Sequence, residues 1–483
     1  MSQPISLGAR LRQLAAERPD RPAVTDATRT VTWRELDART DRVARGLRSA
    51  GVEHGDLVTL GLPNTVDFIE ACYGLWKIGA TPQPISYRLP GAEAEAVMDL
   101  ADTPLLIAGE SIQAARRRFD IEDLLSMATD DDPLEDTVAP VWKAPTSGGS
   151  TGRPKLILSG GAGLYTPVEV GAWRTQSEDV MIMPGPLYHN GPFSSGFDGL
   201  NQGAHLVIMP RFDAEETLRT VERHRGTWMY LVPTMMSRIW RLPPEVRAQY
   251  DVTSLATVWH LAAPCPPWLK EAWIEWLGPD VIMELYGGTE GQAVTYITGE
   301  EWLAHRGSVG KVGIGEMRAV DAEGRTLPPG EVGEIYMRRP ADAPPTYRYL
   351  GATARVLPDG WESLGDIGWF DDEGYLYLAD RRTDMILVGG SNVYPAEIES
   401  ALDEHPLVQS SAVIGLPDED LGSRIHAIVQ PREGLTEDAL REHVRLRLVS
   451  YKQPRTYEFV SENIRDDAGK VRRTQLRDER TRS

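Results

Sequence analysis

Cysteine is nearly absent: Cys72 and Cys265 are the two in 483 residues, far apart and each in apolar surroundings. A disulfide framework or a cysteine-based zinc site finds no support in that count, and both thiols are expected to be packing residues. Basic residues are outnumbered. The formal net charge is −20 and no run of five or more Lys or Arg occurs, so a polyanionic partner such as nucleic acid or an anionic membrane would be repelled. Long hydrophobic runs are missing as well. The opening MSQPISLGARLRQLAAERPD spaces Leu7, Leu11 and Leu14 as on a helix among charges, which is neither a secretory core nor a membrane span. A cytoplasmic protein with no nucleic-acid and no membrane partner is expected. Internal repeats and low-complexity segments are also lacking.

What is present is a long chain with 41% hydrophobic residues, enough for a large buried core and at least two domains. Over the first 230 residues short β-branched runs alternate with amphipathic helices, the pattern of βα units around a mainly parallel sheet. Thr32 and Glu35 form a capping box for a helix with Leu36, Val43 and Leu47 on one face, ended by Gly51. A strand at 57–60, a helix over 65–78 and a strand near 104–108 follow. A second alternating region runs from about 184 to 286 and ends in VIMELY, a buried strand leading into a glycine turn. From about 307 to 378 short strands broken by Gly, Pro and Asp predict a small antiparallel or barrel-like subdomain. After ADRRTD, a charged break suited to a hinge, the segments VQSSAVIG, RIHAIVQP, TEDALREHVRLRL and TYEFV predict a compact α+β unit. The fold class is therefore α/β: a large N-terminal domain over 1–380, with its βα subdomains and β subdomain, and a small C-terminal domain over 381–483.

The stretch TSGGSTGRPK, Thr146 to Lys155, is built to embrace phosphates. Glycines let backbone N–H groups approach an anion, hydroxyls add donors, and the lysine adds charge. It is not a P-loop: Gly152 is followed by Arg153 and Pro154, and Lys155 by Leu156. Downstream stand YGGTE (286–290), SLGDIGWFDDEGYLYLADR (363–381), DMILVGGSNVYPAEIE (384–399) and DDAGKVRRTQLR (466–477). In this order and spacing the five motifs resemble the core motifs of the adenylate-forming superfamily, which includes acyl-CoA synthetases, luciferases and peptide-synthetase adenylation domains. PLYHNGPF and HLAAPCPPW resemble bacterial acyl-CoA synthetases for fatty, alicyclic or bile acids.

The resemblance implies a two-step reaction. A carboxylate attacks the α-phosphate of Mg·ATP to give an acyl adenylate and pyrophosphate, and the thiol of coenzyme A then displaces AMP. It implies that Ser147, Gly148, Gly149, Ser150, Thr151, Gly152 and Lys155 hold the β- and γ-phosphates. Tyr286 is expected on the adenine, Thr289 on the α-phosphate, and Glu290 with Thr151 on Mg²⁺; Gly287, Gly288, Ala263 and Pro264 border the nucleotide. Asp366 is expected on the ribose hydroxyls with Arg381 beside it, and Thr383 takes the hinge position, where the family often carries Asp or Lys. Lys470 is the expected catalytic lysine, bridging the substrate carboxylate and the α-phosphate when the small domain closes. The family's usual Leu-Pro-Arg is replaced ahead of it by Asn463-Ile-Arg465. Gly389 and Gly390 are expected to line the tunnel for the pantetheine arm in a rotated conformation.

For the acyl pocket the resemblance implies His189 at the carboxylate end, with Trp259, Ala262, Gly287 and Gly288 as walls and Met235 and Met236 farther out. Small residues and adaptable methionines suit a bulky apolar acid. Two enzyme alternatives stay open: a thioesterification-only acyl-AMP:CoA ligase, or an enzyme loading a carrier protein. Against an amino-acid substrate, Asp198 is displaced from the place of an ammonium-binding carboxylate. A regulatory nucleotide binder with a relic site is disfavoured by the joint presence of Lys155, Glu290, Asp366 and Lys470. A homodimer is left open.

Overall fold

The structure, a computed structural model, describes residues 3–481 apart from 113, 129–133, 149–153, 341, 382–383, 389–390, 419–420 and 468, with backbone alone at 147, 148 and 381. Its largest element is a 14-stranded sheet. The strands His205–Ile208, Val180–Met183, Trp228–Leu231, Thr257–His260 and Ile282–Gly287 lie side by side and parallel. They are near-continuous apolar runs because helices cover both faces. At Ile282–Gly287 the pairing turns antiparallel, first onto Val294–Thr298 and then Ser308–Ile314. Beyond these lie Tyr375–Arg381, Glu362–Phe370, Gly333–Arg338 and Glu316–Val320. The expected β subdomain is thus hydrogen-bonded onto the parallel sheet, with its own small core of Ala293, Ala319, Ile335, Met337 and Leu376.

Leu57–Gly61 forms a separate parallel sheet with Thr81–Pro84 and Leu106–Ala108. The capping box at Thr32 and Glu35 has both reciprocal bonds and opens the helix Trp33–Ser49, beyond which Gly51 takes φ +91°. The helix expected over 65–78 spans Val66–Lys77, buried on every side. TSGGSTGRPK supplies the strands Thr146–Gly148 and Pro154–Ser159, which pair antiparallel with Ser147 opposite Lys155. Tyr347–Leu350 adds a third strand against Pro154–Ser159.

Past Arg381 a second core begins. Val408–Asp418 and Gly422–Pro431 form a long antiparallel ladder, with Thr456–Phe459 parallel to the latter. One face packs Val413, Ile425 and Val429 with Ile398 and Leu402 of the helix Pro395–Asp403. The other face carries Ile414, Leu416 and Ile428. A closing helix, Arg473–Thr481, has no buried residue of its own. It is held by Arg473 on Asp384 and Glu399, at 2.8 and 2.7 Å, and by Arg480 on Glu458. Lacking an apolar stripe, it gave no periodic signal in the sequence.

Candidate active site

In open parallel sheets ligands bind beyond the carboxyl ends of the strands, and a cavity of about 2240 Å³ occupies that place here. Its walls come from the segments after four neighbouring strands: His189, Thr234, Ala262 and Tyr286–Glu290. The opposite wall is contributed by the C-terminal domain through Arg465, Asp466, Asp467, Gly469 and Lys470.

Glu290 is 6% exposed. Lys155 places Nζ 3.4 Å from its Oε1 and 4.2 Å from the centre of the Tyr349 ring, and the Tyr349 hydroxyl donates to the same oxygen. Burial first, then the neighbouring Glu290 charge, pushes the Tyr349 phenol well up, so it stays a donor. Tyr286 donates to Asp366 at 2.7 Å, and Asp366 sits across from Arg381 in the ladder. Tyr286, Asp366 and Glu290, expected on the adenine, the ribose and the metal, are therefore gathered on one wall. At Gly288 a Cβ would lie 2.3 Å from Leu364 Cδ1 and 2.7 Å from Glu290 Oε2, so a larger residue there would displace the Glu290 carboxylate. Ala262 adopts φ +76°, a left-handed conformation costing a non-glycine residue about 1 kcal/mol; Ala263 and Pro264 follow it along the cavity.

Lys470 is exposed at the edge of a tight hairpin. Asp466 N–H donates to the Lys470 carbonyl, Gly469 N–H to the Asp466 carbonyl, and Lys470 N–H to the Asp466 carboxylate, each at 2.9 Å. Arg465 anchors the hairpin, donating to the Gly469 and Ser411 carbonyls at 3.2 and 2.9 Å and pairing with Glu399 at 3.1 Å. Its tip meets the N-terminal domain: Tyr188 donates to Asp467 at 3.0 Å, and Arg88 lies 3.5 Å from the same carboxylate oxygen. Burial pushes His189 down to about 4, with Lys470 acting in the same direction and Asp466 and Asp467 opposing. A neutral imidazole thus stands within electrostatic reach of the lysine.

Three expectations are corrected. Trp259 does not line the cavity; it is 1% exposed, donates to the Trp173 carbonyl at 2.9 Å and packs edge-on against Trp173 and Tyr296. Met236 is likewise core, whereas its neighbour Met235 lines the cavity. Cys265 lines it too, so only Cys72 is a plain packing thiol. Asp198 is turned away, accepting from Thr175 at 2.5 Å. Gly149, Ser150, Thr151, Gly152, Thr383, Gly389 and Gly390 lie outside the described residues, as do the side chains of Ser147 and Arg381. The strands flanking the glycine pair, Ile386–Val388 and Ser391–Val393, are antiparallel partners. Tyr188, Asn190, Tyr349 and Asp467 entered no sequence-based expectation for the site; adjacency to His189 and to the DDAGK motif was the available signal.

Among the described residues no cluster of three or more His, Cys, Asp or Glu could by itself hold a metal, and no helix is long and apolar enough to cross a membrane.

Comparison with known proteins agrees with this arrangement. Residues 11–344 match the AMP-binding enzyme family and residues 397–470 the AMP-binding enzyme C-terminal domain. A 2-succinylbenzoate–CoA ligase of Bacillus licheniformis is 30% identical over 482 residues, covering 96% of this chain and 98% of its own. A methyl-dioxo-octahydroindenyl-propanoyl:CoA ligase of Rhodococcus jostii is 30% identical over 523 residues, covering 99% of both. The o-succinylbenzoate CoA synthetase of Bacillus subtilis, solved with its acyl-adenylate intermediate, superposes with a TM-score of 0.83 at 25% identity, covering 98% of each chain. The same enzyme has been solved with ATP and a magnesium ion, at a TM-score of 0.80, 25% identity, and 98% and 99% coverage. The chain belongs to the adenylate-forming superfamily of AMP-binding enzymes, within its acyl-CoA ligases.

Proposed function

We propose that this chain converts a bulky, largely apolar carboxylic acid, ATP and coenzyme A into an acyl-CoA, AMP and pyrophosphate, with residues 1–380 binding ATP and acid and residues 381–483 delivering Lys470. The observation that carries the reading is the single cavity in which Lys470, His189, Glu290, Lys155 and Asp366 line facing walls. The relatives named for ligation of aromatic and fused-ring acids to CoA support the acid class.

The difficulty of the first step is electrostatic: an anionic carboxylate must approach a polyanion. Alignment and fixed positive charge supply most of what such a step needs. Lys470 bridges the incoming carboxylate and the α-phosphate. Lys155 neutralises the outer phosphates together with the loop 147–152, Thr289 donates to the α-phosphate, and Asp366 accepts from the ribose hydroxyls. Neutral His189 borders the carboxylate without adding charge. Glu290 offers a hard oxygen donor in reach of Lys155, and one carboxylate plus phosphate oxygens fits Mg²⁺; Glu290 and Thr151 would hold it, and when bound it supplies charge neutralisation on the phosphates. In the second step the C-terminal domain rotates about Thr383, carries Lys470 away and presents Gly389 and Gly390 to the pantetheine arm.

The test is a panel of aromatic, alicyclic and fatty acids with ATP, Mg²⁺ and coenzyme A, reading pyrophosphate release and thioester mass. Release of pyrophosphate with a matching thioester is expected for at least one ring-bearing acid. Thioester formed from a synthetic acyl adenylate, but never from acid and ATP, overturns the two-step reading.

A further inference from the structure

Three lysines are buried in the N-terminal domain. Lys77 is paired with Asp37 and Asp41, at 2.6 and 2.5 Å, and Lys270 with Glu284. Lys143, 7% exposed, is different. Its ammonium donates to Asn190 Oδ1 and Ser194 Oγ and sits 4.3 Å from the centre of the Trp142 ring, with no carboxylate partner among the described residues. Asn190 opens the helix Asn190–Gln202 and Ser194 lies one turn on, near the end whose dipole disfavours a cation. Burial accordingly pushes this amine down to about 7.

An ammonium at that place does one thing a neutral side chain cannot. In its protonated form it has donors and no acceptor and so faces the carbonyl end of the Asn190 amide; the Ser194 hydroxyl also donates to that Oδ1, at 3.3 Å. The ammonium thereby holds the amide with Oδ1 toward Lys143. Its Nδ2 is left with no protein acceptor among the described residues, on a side chain that lines the cavity next to His189. Tyr188, Tyr230 and Met235 line the same cavity, with the Tyr230 hydroxyl beside Gly191. An oriented amide N–H₂ on the wall of a ligand cavity is a recognition element, because a bound ligand that cannot accept from it leaves it desolvated and unpaired.

We propose that Asn190 is a substrate-binding donor of the acyl pocket with Lys143 as its positioning residue, and that the preferred acid carries an acceptor oxygen, as oxo, hydroxyl or ether, on its apolar skeleton. This rests on the acyl-CoA synthetase reading above. The test is calorimetric binding of paired acyl-sulfamoyl-adenosines on one ring skeleton: a series with an oxo group at successive positions, and the fully reduced parent. For at least one position the oxo compound is expected to bind the wild type at least about 10-fold more tightly than the parent. Asn190→Asp keeps an acceptor for Lys143 but removes the donors, and the ratio should fall to near one. Lys143→Met should lower the ratio by freeing the amide to turn; if that variant does not fold, Asn190→Asp decides. A wild-type ratio near one at every position, or a ratio unchanged in Asn190→Asp, overturns the proposal. Equal loss for both members of each pair also overturns it, since Asn190 would then contact the shared adenylate. Binding of these analogues needs no turnover. The expected ratio without pyrophosphate release from any acid would therefore refute the synthetase reading and leave the donor assignment standing.

Discussion

Lys470 owes its place to its neighbour. Gly469 has φ +75°, and a Cβ on it would lie 2.8 Å from Thr234 Oγ1 across the domain boundary. Gly469→Ala therefore meets a conformational penalty of about 1 kcal/mol and a clash at the closed interface. Pyrophosphate release should fall at least about 10-fold, by the transition-state relation, while thioester formation from a synthetic acyl adenylate is spared. Lys470→Ala removes the bridging charge itself, a stabiliser worth roughly 3–5 kcal/mol, so adenylation should drop by several orders of magnitude and the second half-reaction survive. Equal loss in both half-reactions refutes either assignment. At this scale the sequence was most legible where side chains of one wall come from contiguous motifs, as with Tyr286, Glu290 and Asp366. Trp259 and Met236 were misread because an apolar residue next to a site residue can point into the core, and spacing alone does not choose. Lys143, Tyr349 and Asp467 were silent because burial and partners far along the chain give them their meaning.

Among elements, the hairpin bearing Lys470 depends on a carboxylate outside it. Glu399, 5% exposed on the helix Pro395–Asp403, accepts from Arg465, Arg473 and the Val413 backbone N–H. It fixes the helix, the edge strand Val408–Asp418, the lysine hairpin and the closing helix to one another. Glu399→Gln leaves two half-buried guanidinium groups short of charge, though Arg473 keeps Asp384, so the cost lies below the roughly 3–5 kcal/mol of breaking a fully buried pair. A large drop in the denaturation midpoint of the C-terminal domain is expected, and an unchanged midpoint would show the cluster to be dispensable. Elements with a period or a cap were readable: Trp33–Ser49 opens where Thr32 and Glu35 place it. The helix Arg473–Thr481 was not, because ion pairs and the single Leu476 packed on Ile414 and Leu416, rather than an apolar stripe, hold it.

For the molecule as a whole, acid should be destabilising through histidine. Burial lowers His189 and His205 to about 4 and His260 well down, each below the ordinary 6.5. Between those values the unfolded chain binds more protons than the folded one, so stability rises with pH there. It is fully present above 6.5 and lost as the pH falls toward 4. Urea midpoints measured from pH 7.5 to 4.5 should decline, and His205→Gln, which removes a ring bonded to Thr25 at 2.8 Å, should flatten the slope; an unaltered slope would exclude His205 as a source. The division into two cores was visible in the change of texture after residue 380, whereas the way they meet was not, since Asp467 reaches Tyr188 and Arg88 across hundreds of residues. That meeting point has a further consequence. Arg88 and Asp467 are both about half exposed, and attraction between exposed charges is screened over about 10 Å at 0.1 M salt and about 3 Å at 1 M. Ionic strength should then act as a selective brake, slowing pyrophosphate release while barely touching thioester formation from preformed adenylate. Arg88→Gln should make the first half-reaction as indifferent to salt as the second.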